Sequence, residues 1–207
     1  MNKPKRVRRD PETTRALILD TTERLMVDEG YAAVTSRRVA QELGINGATV
    51  HYYYPTTDDL FIALHKRMTE RQLAEFEHVL AAEDPLGALW KFQSGWAQSA
   101  LGVEFLALAN HRKGIREVLA ETTDEARDVQ TQALARISSQ SMIEPQILPP
   151  IALTTILVAI ARTLANEERV GITRGHQEVR TFVDWALTRL KRDERTEGLG
   201  DFNSTAQ

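Results

Sequence analysis

The chain contains no cysteine, which excludes disulfide staples, thiolate metal sites and a thiol nucleophile, and suits a reducing compartment. Aromatic residues make up only 6% of it, so a run of three tyrosines stands out. Long apolar stretches are missing too. The longest, residues 151–165, is short for a membrane span and carries Thr154, Thr155 and Arg162. The basic N-terminus is not followed by the apolar segment of a signal peptide, so a cytoplasmic protein with no membrane partner is expected. Enzyme signatures are equally scarce: there is no Gly-x-x-x-x-Gly-Lys loop, Gly-x-Ser-x-Gly elbow, Ser-x-x-Lys pair or His-Glu-x-x-His helix. Glu75-x-x-His78 matches one arm of a carboxylate-bridged di-iron bundle, but no second copy exists, and His65, His111 and His176 stand alone. We therefore expect no catalytic residue, no cofactor and no resident metal.

Net charge is −3, too acidic for indiscriminate binding to nucleic acid, but the charge is unevenly divided. Residues 1–67 hold 11 basic and 9 acidic side chains, net +2, leaving −5 for the remainder. Five of the cations fall within residues 3–9: Lys3, Lys5, Arg6, Arg8 and Arg9. Such a run attracts phosphate and releases counterions on binding, although a solubilising tail or a remnant of expression has the same composition.

Helical periodicity dominates, without alternating β-type stretches or a fixed repeat, and predicts an all-α fold of about nine helices. A first helix opens at Pro11-Glu12, places Ile18, Thr22, Leu25 and Met26 on one face, and ends at Gly30, read as a left-handed cap. Thr35 and Asn46 cap the next two short helices, and Gly44 closes the first of these. A long helix runs from Thr57 to about Ala82. Asp84-Pro85 starts another, with Leu86, Leu89, Trp90, Gln93, Ala97 and Ala100 on one face. Ile115, Val118, Leu119, Thr122, Ala126, Val129 and Ala133 mark a further helix from Arg112. After Pro149-Pro150, residues 151–165 are apolar nearly all round. A last helix, residues 177–192, carries the stripe Val179, Phe182, Val183, Ala186 and Leu190. The resulting division is a basic arm (1–11), a three-helix head (12–56), a larger helical half (57–192) and a polar tail (193–207).

Residues 35–55 are the most informative part of the chain. Val39 and Leu43 face inward, small Ala40 lets the following helix cross closely, Gly44 permits a tight turn, and Ile45 and Val50 complete a small core. This leaves Ser36, Arg37, Gly47, Ala48, Thr49, His51 and Tyr52 pointing outward, as a helix lying in a DNA major groove requires. Over residues 14–66 the chain resembles the tetracycline-repressor (TetR-like) family. The resemblance rests on Gly30-Tyr31, Thr35, Ala40, Gly44-Ile45, Thr49-Val50, the tyrosine run and Pro55-x-x-Asp58-Asp59-Leu60. It implies that Ser36 and Arg37 contact phosphate or base from one helix, and Thr49, His51 and Tyr52 from the next. Arg37 is suited to a bidentate pair with guanine, Tyr52 and Tyr53 to phosphates, and Tyr54 to the core. The chain departs from the family pattern at Gly47 and Thr57, where relatives often carry a longer side chain and a lysine. The N–H groups near Thr56 and Thr57 remain candidate phosphate donors.

For the larger half, the resemblance implies a homodimer in which the last two helices of each subunit form a four-helix bundle. The apolar residues 151–165 and the final stripe ask independently for such burial, with Ile156, Ile160, Phe182, Val183, Ala186 and Leu190 at the interface. A monomer with both helices internal is the alternative. It also implies a pocket for a small apolar or amphipathic effector, with Gln93, Trp96, Phe105 and Thr122 as candidates; the same residues also fit an ordinary core. The expected protein is thus a ligand-responsive repressor of a pseudo-palindromic double-stranded operator. A helical metal-binding enzyme and a module whose arm binds partners other than DNA are the competing classes.

Overall fold

The computed structural model describes residues 10–138 and 148–191, and every regular element among them is helical. In α1 (Pro11–Glu29) the Asp10 carboxylate accepts the Glu12 and Thr13 N–H groups at 3.1 and 3.2 Å, and Pro11 occupies the first turn, where its missing N–H is no loss. Ile18, Thr22, Leu25 and Met26 are buried together, and the Thr22 hydroxyl donates to the Ile18 carbonyl at 2.8 Å. Gly30 ends the helix, but not as the left-handed cap expected: its φ of 81° comes with ψ 164°, an extended mirror-image conformation essentially reserved for glycine.

A short 3-10 turn (Tyr31–Ala33) leads to α2 (Ser36–Leu43) and α3 (Gly47–Tyr53). The later helices are α4 (Thr57–Leu80), α5 (Pro85–Ala97), α6 (Leu101–His111), α7 (Lys113–Ser138), α8 (Pro150–Arg169) and α9 (His176–Lys191). The helix read through Ala100 therefore stops early. Gln98, Ser99 and Ala100 form a turn in which Ser99 Oγ accepts the Leu101 N–H at 3.3 Å. Arg169 donates to the Ala97 and Gln98 carbonyls at 3.1 and 2.5 Å, satisfying acceptors that the end of α5 leaves open.

The chain forms two compact units. One takes residues up to Leu73 together with Ser99–Asp124. Its core is Ile18, Leu25, Met26, Val39, Val50, Leu60, Phe61, Leu64, Phe105, Leu108 and Ile115. The other takes Ala74–Gln98 and the chain from Glu125 onward. In it α5 packs on α8 and α9, burying Phe76, Leu89, Trp90, Leu134, Leu153, Leu157, Leu164, Val183 and Leu187. Each such side chain withdrawn from water contributes about 2 kcal/mol.

Candidate nucleic-acid interface

The geometry of the head follows from three local devices. Thr35 Oγ1 accepts the Arg38 N–H at 3.0 Å and starts α2. Gly44, with φ 62° and ψ 32°, ends it in the left-handed conformation that lets the Ile45 N–H reach the Ala40 carbonyl at 3.0 Å. Asn46 Oδ1 then accepts the Ala48 N–H at 3.0 Å and starts α3. Val39 and Val50 are fully buried and Ala40 nearly so, so α2 and α3 cross at close range.

What remains outside is a polar and aromatic face. Arg37, Ala48, His51 and Tyr52 are exposed, Tyr52 to 80%, while Gly47, Thr49 and Tyr53 are half-buried. The neighbouring Arg38 is occupied: it pairs with Glu29 at 2.9 Å and with Glu42, which also accepts Arg24 at 3.1 Å. The Arg24 and Arg38 hydrogen bonds hold the Glu42 carboxyl below its ordinary range. Arg37 has no such partner among the described residues, so its guanidinium is available for a base or a phosphate. His51 Nδ1 lies 3.2 Å from the Pro55 carbonyl. That acceptor assigns the proton to Nδ1 and leaves Nε2 facing outward. The Tyr52 ring meets Tyr53 edge-on with centroids 5.1 Å apart, and the Arg15 guanidinium lies 5.5 Å from the Tyr53 centroid. Tyr54 is core, and burial raises its hydroxyl pKa.

Two expectations change. Ser36 is not outward: it is buried and its hydroxyl has no hydrogen-bond partner. It stands three and four residues before Val39 and Ala40, which places it on their inward face. The Thr56 N–H is not free either, because Asp59 Oδ2 accepts it at 2.9 Å while Thr56 Oγ1 accepts the Asp59 N–H at 3.1 Å. This reciprocal cap opens α4. Thr57 is half-buried beside it, and Asp58 pairs with Arg112. The arm residues Lys5, Arg6, Arg8 and Arg9 lie outside the described residues, as does the tail.

The four effector candidates separate into two groups. In the first unit, buried Phe105 and Thr122 meet around His65, which had looked isolated in the sequence. Thr122 Oγ1 donates its single proton to the Val118 carbonyl at 2.8 Å, so His65 Nδ1, 3.2 Å away, carries the proton of that second hydrogen bond. The Phe105 ring stands edge-on at 4.9 Å, and burial pulls the His65 pKa down to about 4. In the second unit, buried Gln93 donates to Gln130 at 3.3 Å, and Trp96 Nε1 donates to Glu75 at 2.9 Å. No group of three or more His, Asp or Glu side chains that could hold a metal occurs among the described residues.

The candidate dimer residues also sort by exposure. Ile156 and Phe182 are exposed, with Ile151 and Trp185 beside them in the sequence pattern, whereas Ile160, Ala186 and Leu190 are half-buried. Phe182 and Trp185 stack at 5.8 Å and Arg189 lies 5.9 Å over the Trp185 ring. Val183 departs from the expectation. It is 3% exposed within its own chain's core, so it supports the exposed face from beneath.

Residues 18–64, the segment holding these devices, match the family model of bacterial regulatory proteins of the tetR family. Over that segment the chain is similar to the tetR-family regulators. Solved TetR-like structures share its fold. The multidrug binding protein EbrR, complexed with imidazole, is 26% identical, with a TM-score of 0.61 over 91% of this chain and 99% of that one. A TetR transcription regulator from Haloarcula marismortui is 20% identical, with a TM-score of 0.70 over 87% and 100%. A Saccharomonospora viridis protein described as a transcriptional regulator, in complex with choline, is 19% identical, with a TM-score of 0.69 over 86% and 96%. No curated protein is similar enough to count as a match. No helix among the described residues is long and apolar enough to cross a membrane.

Proposed function

We propose that the chain is a TetR-family member, a ligand-responsive repressor that binds a pseudo-palindromic operator as a homodimer and is released by a small-molecule effector. The observation that carries the reading is the exposed face of α2 and α3, with unpaired Arg37, His51 and a largely exposed Tyr52. Arg37 discriminates bases, while Thr49, His51, Tyr52 and Tyr53 fix register on phosphates. The arm residues Lys5, Arg6, Arg8 and Arg9 add phosphate contacts, each contributing about 0.9 to the log–log salt slope. Because Gly47 and Thr57 lack long side chains and Thr56 is self-capped, affinity leans on the arm and on dimerisation.

The dimer reading rests on Ile156, Phe182 and Trp185, apolar groups open to water on α8 and α9. Two such faces related by a two-fold axis bury one another and set two heads on half-sites about 34–36 Å apart. The effector reading rests on the buried polar groups of the larger half and on the choline and imidazole found in two neighbours. Such a ligand acts only if it binds the DNA-free state more tightly.

Selection from randomised duplex DNA tests the whole reading. The expected product is a two-fold repeat with half-sites one helical turn apart, bound by a species that sediments as a dimer. An asymmetric single site, or no enrichment, would contradict it.

A further inference from the structure

We propose that the effector is a small organic anion, a carboxylate on an apolar body, held by Arg127 of α7 and Arg162 of α8 beside the polar patch of Gln93, Gln130 and Thr131. The inference rests on the effector reading above and lies wholly within the second unit.

Its first support is an uncompensated pair of cations. Arg162 is exposed on α8 and Arg127 half-buried on α7; the protein around the Arg162 guanidinium lowers its pKa, and the nearby charge of Arg127 lowers it further. Neither arginine has an ion-pair or hydrogen-bond partner among the described residues. Arg67, Arg71, Arg112 and Arg180, by contrast, each meet a carboxylate. Two like charges held together without a counter-ion repel one another, and an incoming anion converts that repulsion into two attractions. A quaternary ammonium would add a third positive charge.

Polar groups left without partners are the second, independent support. Arg127, Gln130 and Thr131 stand at i, i+3 and i+4, on one face of α7. Gln130 is 4% exposed and accepts from Gln93, so its own amide N–H groups stay available. Thr131 Oγ1 is enclosed and makes no hydrogen bond, as is Ser94 Oγ, the residue next to Gln93 on α5. A helical Ser or Thr hydroxyl closed off from solvent can return to the carbonyl four residues back; these two do not, and an enclosed hydroxyl without a partner marks a place where a ligand or water completes the set. The same unit holds an aromatic chain, Phe76, Phe92 and Trp96, with centroids 5.6 and 6.4 Å apart, in which Phe92 directly precedes Gln93 on α5.

The test is calorimetric titration of the full chain with phenylacetate and decanoate. Phenylacetamide serves as the uncharged probe and choline as the cationic one, and gel shifts record whether each probe releases DNA. The carboxylates should bind and release DNA, the amide should bind roughly tenfold more weakly, and choline should give no heat. Arg127→Gln and Arg162→Gln, with folding checked by circular dichroism, should each weaken carboxylate binding roughly tenfold without changing the response to the amide. Without any anion, Arg162→Gln should melt no lower than wild type, because it removes a repulsion. Equal binding of acid and amide, or an Arg127→Gln variant that binds phenylacetate like wild type, would overturn the inference. Binding and DNA release by choline or the amide alone would overturn the anion assignment and leave the effector reading intact; no heat and no DNA release from any of the four would overturn both.

Discussion

Replacing His65 with glutamine should remove most of the loss of stability that this protein suffers between neutral and mildly acidic pH. The histidine is 6% exposed, its Nδ1 bonded to Thr122 and its ring set against Phe105. Burial lowers its pKa from 6.5 to about 4, so the folded state holds it neutral while the unfolded chain protonates it. A group depressed in this way contributes stability that is complete above the unfolded pKa and is lost as pH falls through the folded one. The whole window is worth about 3 kcal/mol, and about 2 kcal/mol of it falls between about pH 7 and about pH 5. Glutamine still offers a hydrogen bond to Thr122 but does not titrate. Urea unfolding of wild type and His65→Gln at both pH values measures the difference directly. A wild-type stability that falls by about 2 kcal/mol more than that of the variant is the expected result. Parallel pH dependence in the two proteins would refute the buried neutral histidine.

Other consequences are simpler to state. Gly30→Ala forces a side chain into the φ 81°, ψ 164° conformation, so thermal unfolding should show a loss of about 1–3 kcal/mol. Phe182→Glu places a charge on the exposed apolar face of α9; sedimentation should show a monomer while circular dichroism stays helical, and an unchanged dimer would exclude that face from the interface. Arg169→Ala removes the donor to the Ala97 and Gln98 carbonyls and should destabilise the protein by about 1–3 kcal/mol in denaturant unfolding.

How legible the fold was depended on the range of the interactions that build it. Thr35, Gly44 and Asn46 act within four residues of themselves, so the frame of α2 and α3 could be read from their chemistry. The break between α5 and α6 could not: no proline or glycine occupies positions 98–100, and the carbonyls there are met by Arg169, some seventy residues away. His65 looked isolated because its partner Thr122 is 57 positions distant. Phe182 and Val183 are neighbours in one apolar stripe, and only the rotation of α9 against its own core decides that the first faces water and the second does not. The burial of Ser36 is legible in the sequence, because it stands three and four residues before the inward-facing Val39 and Ala40.

The central claim is that the α2–α3 face reads DNA, and a gel-shift titration against the DNA upstream of the chain's own gene tests it most directly. Wild type is compared with Arg37→Ala and with a chain lacking residues 1–9, each on native and on scrambled duplex. Arg37→Ala should lose about 1–3 kcal/mol of affinity for the native site and little for the scrambled one. Deletion of the arm should weaken both and flatten the salt dependence. Wild type and both variants binding native and scrambled DNA equally weakly would contradict the account.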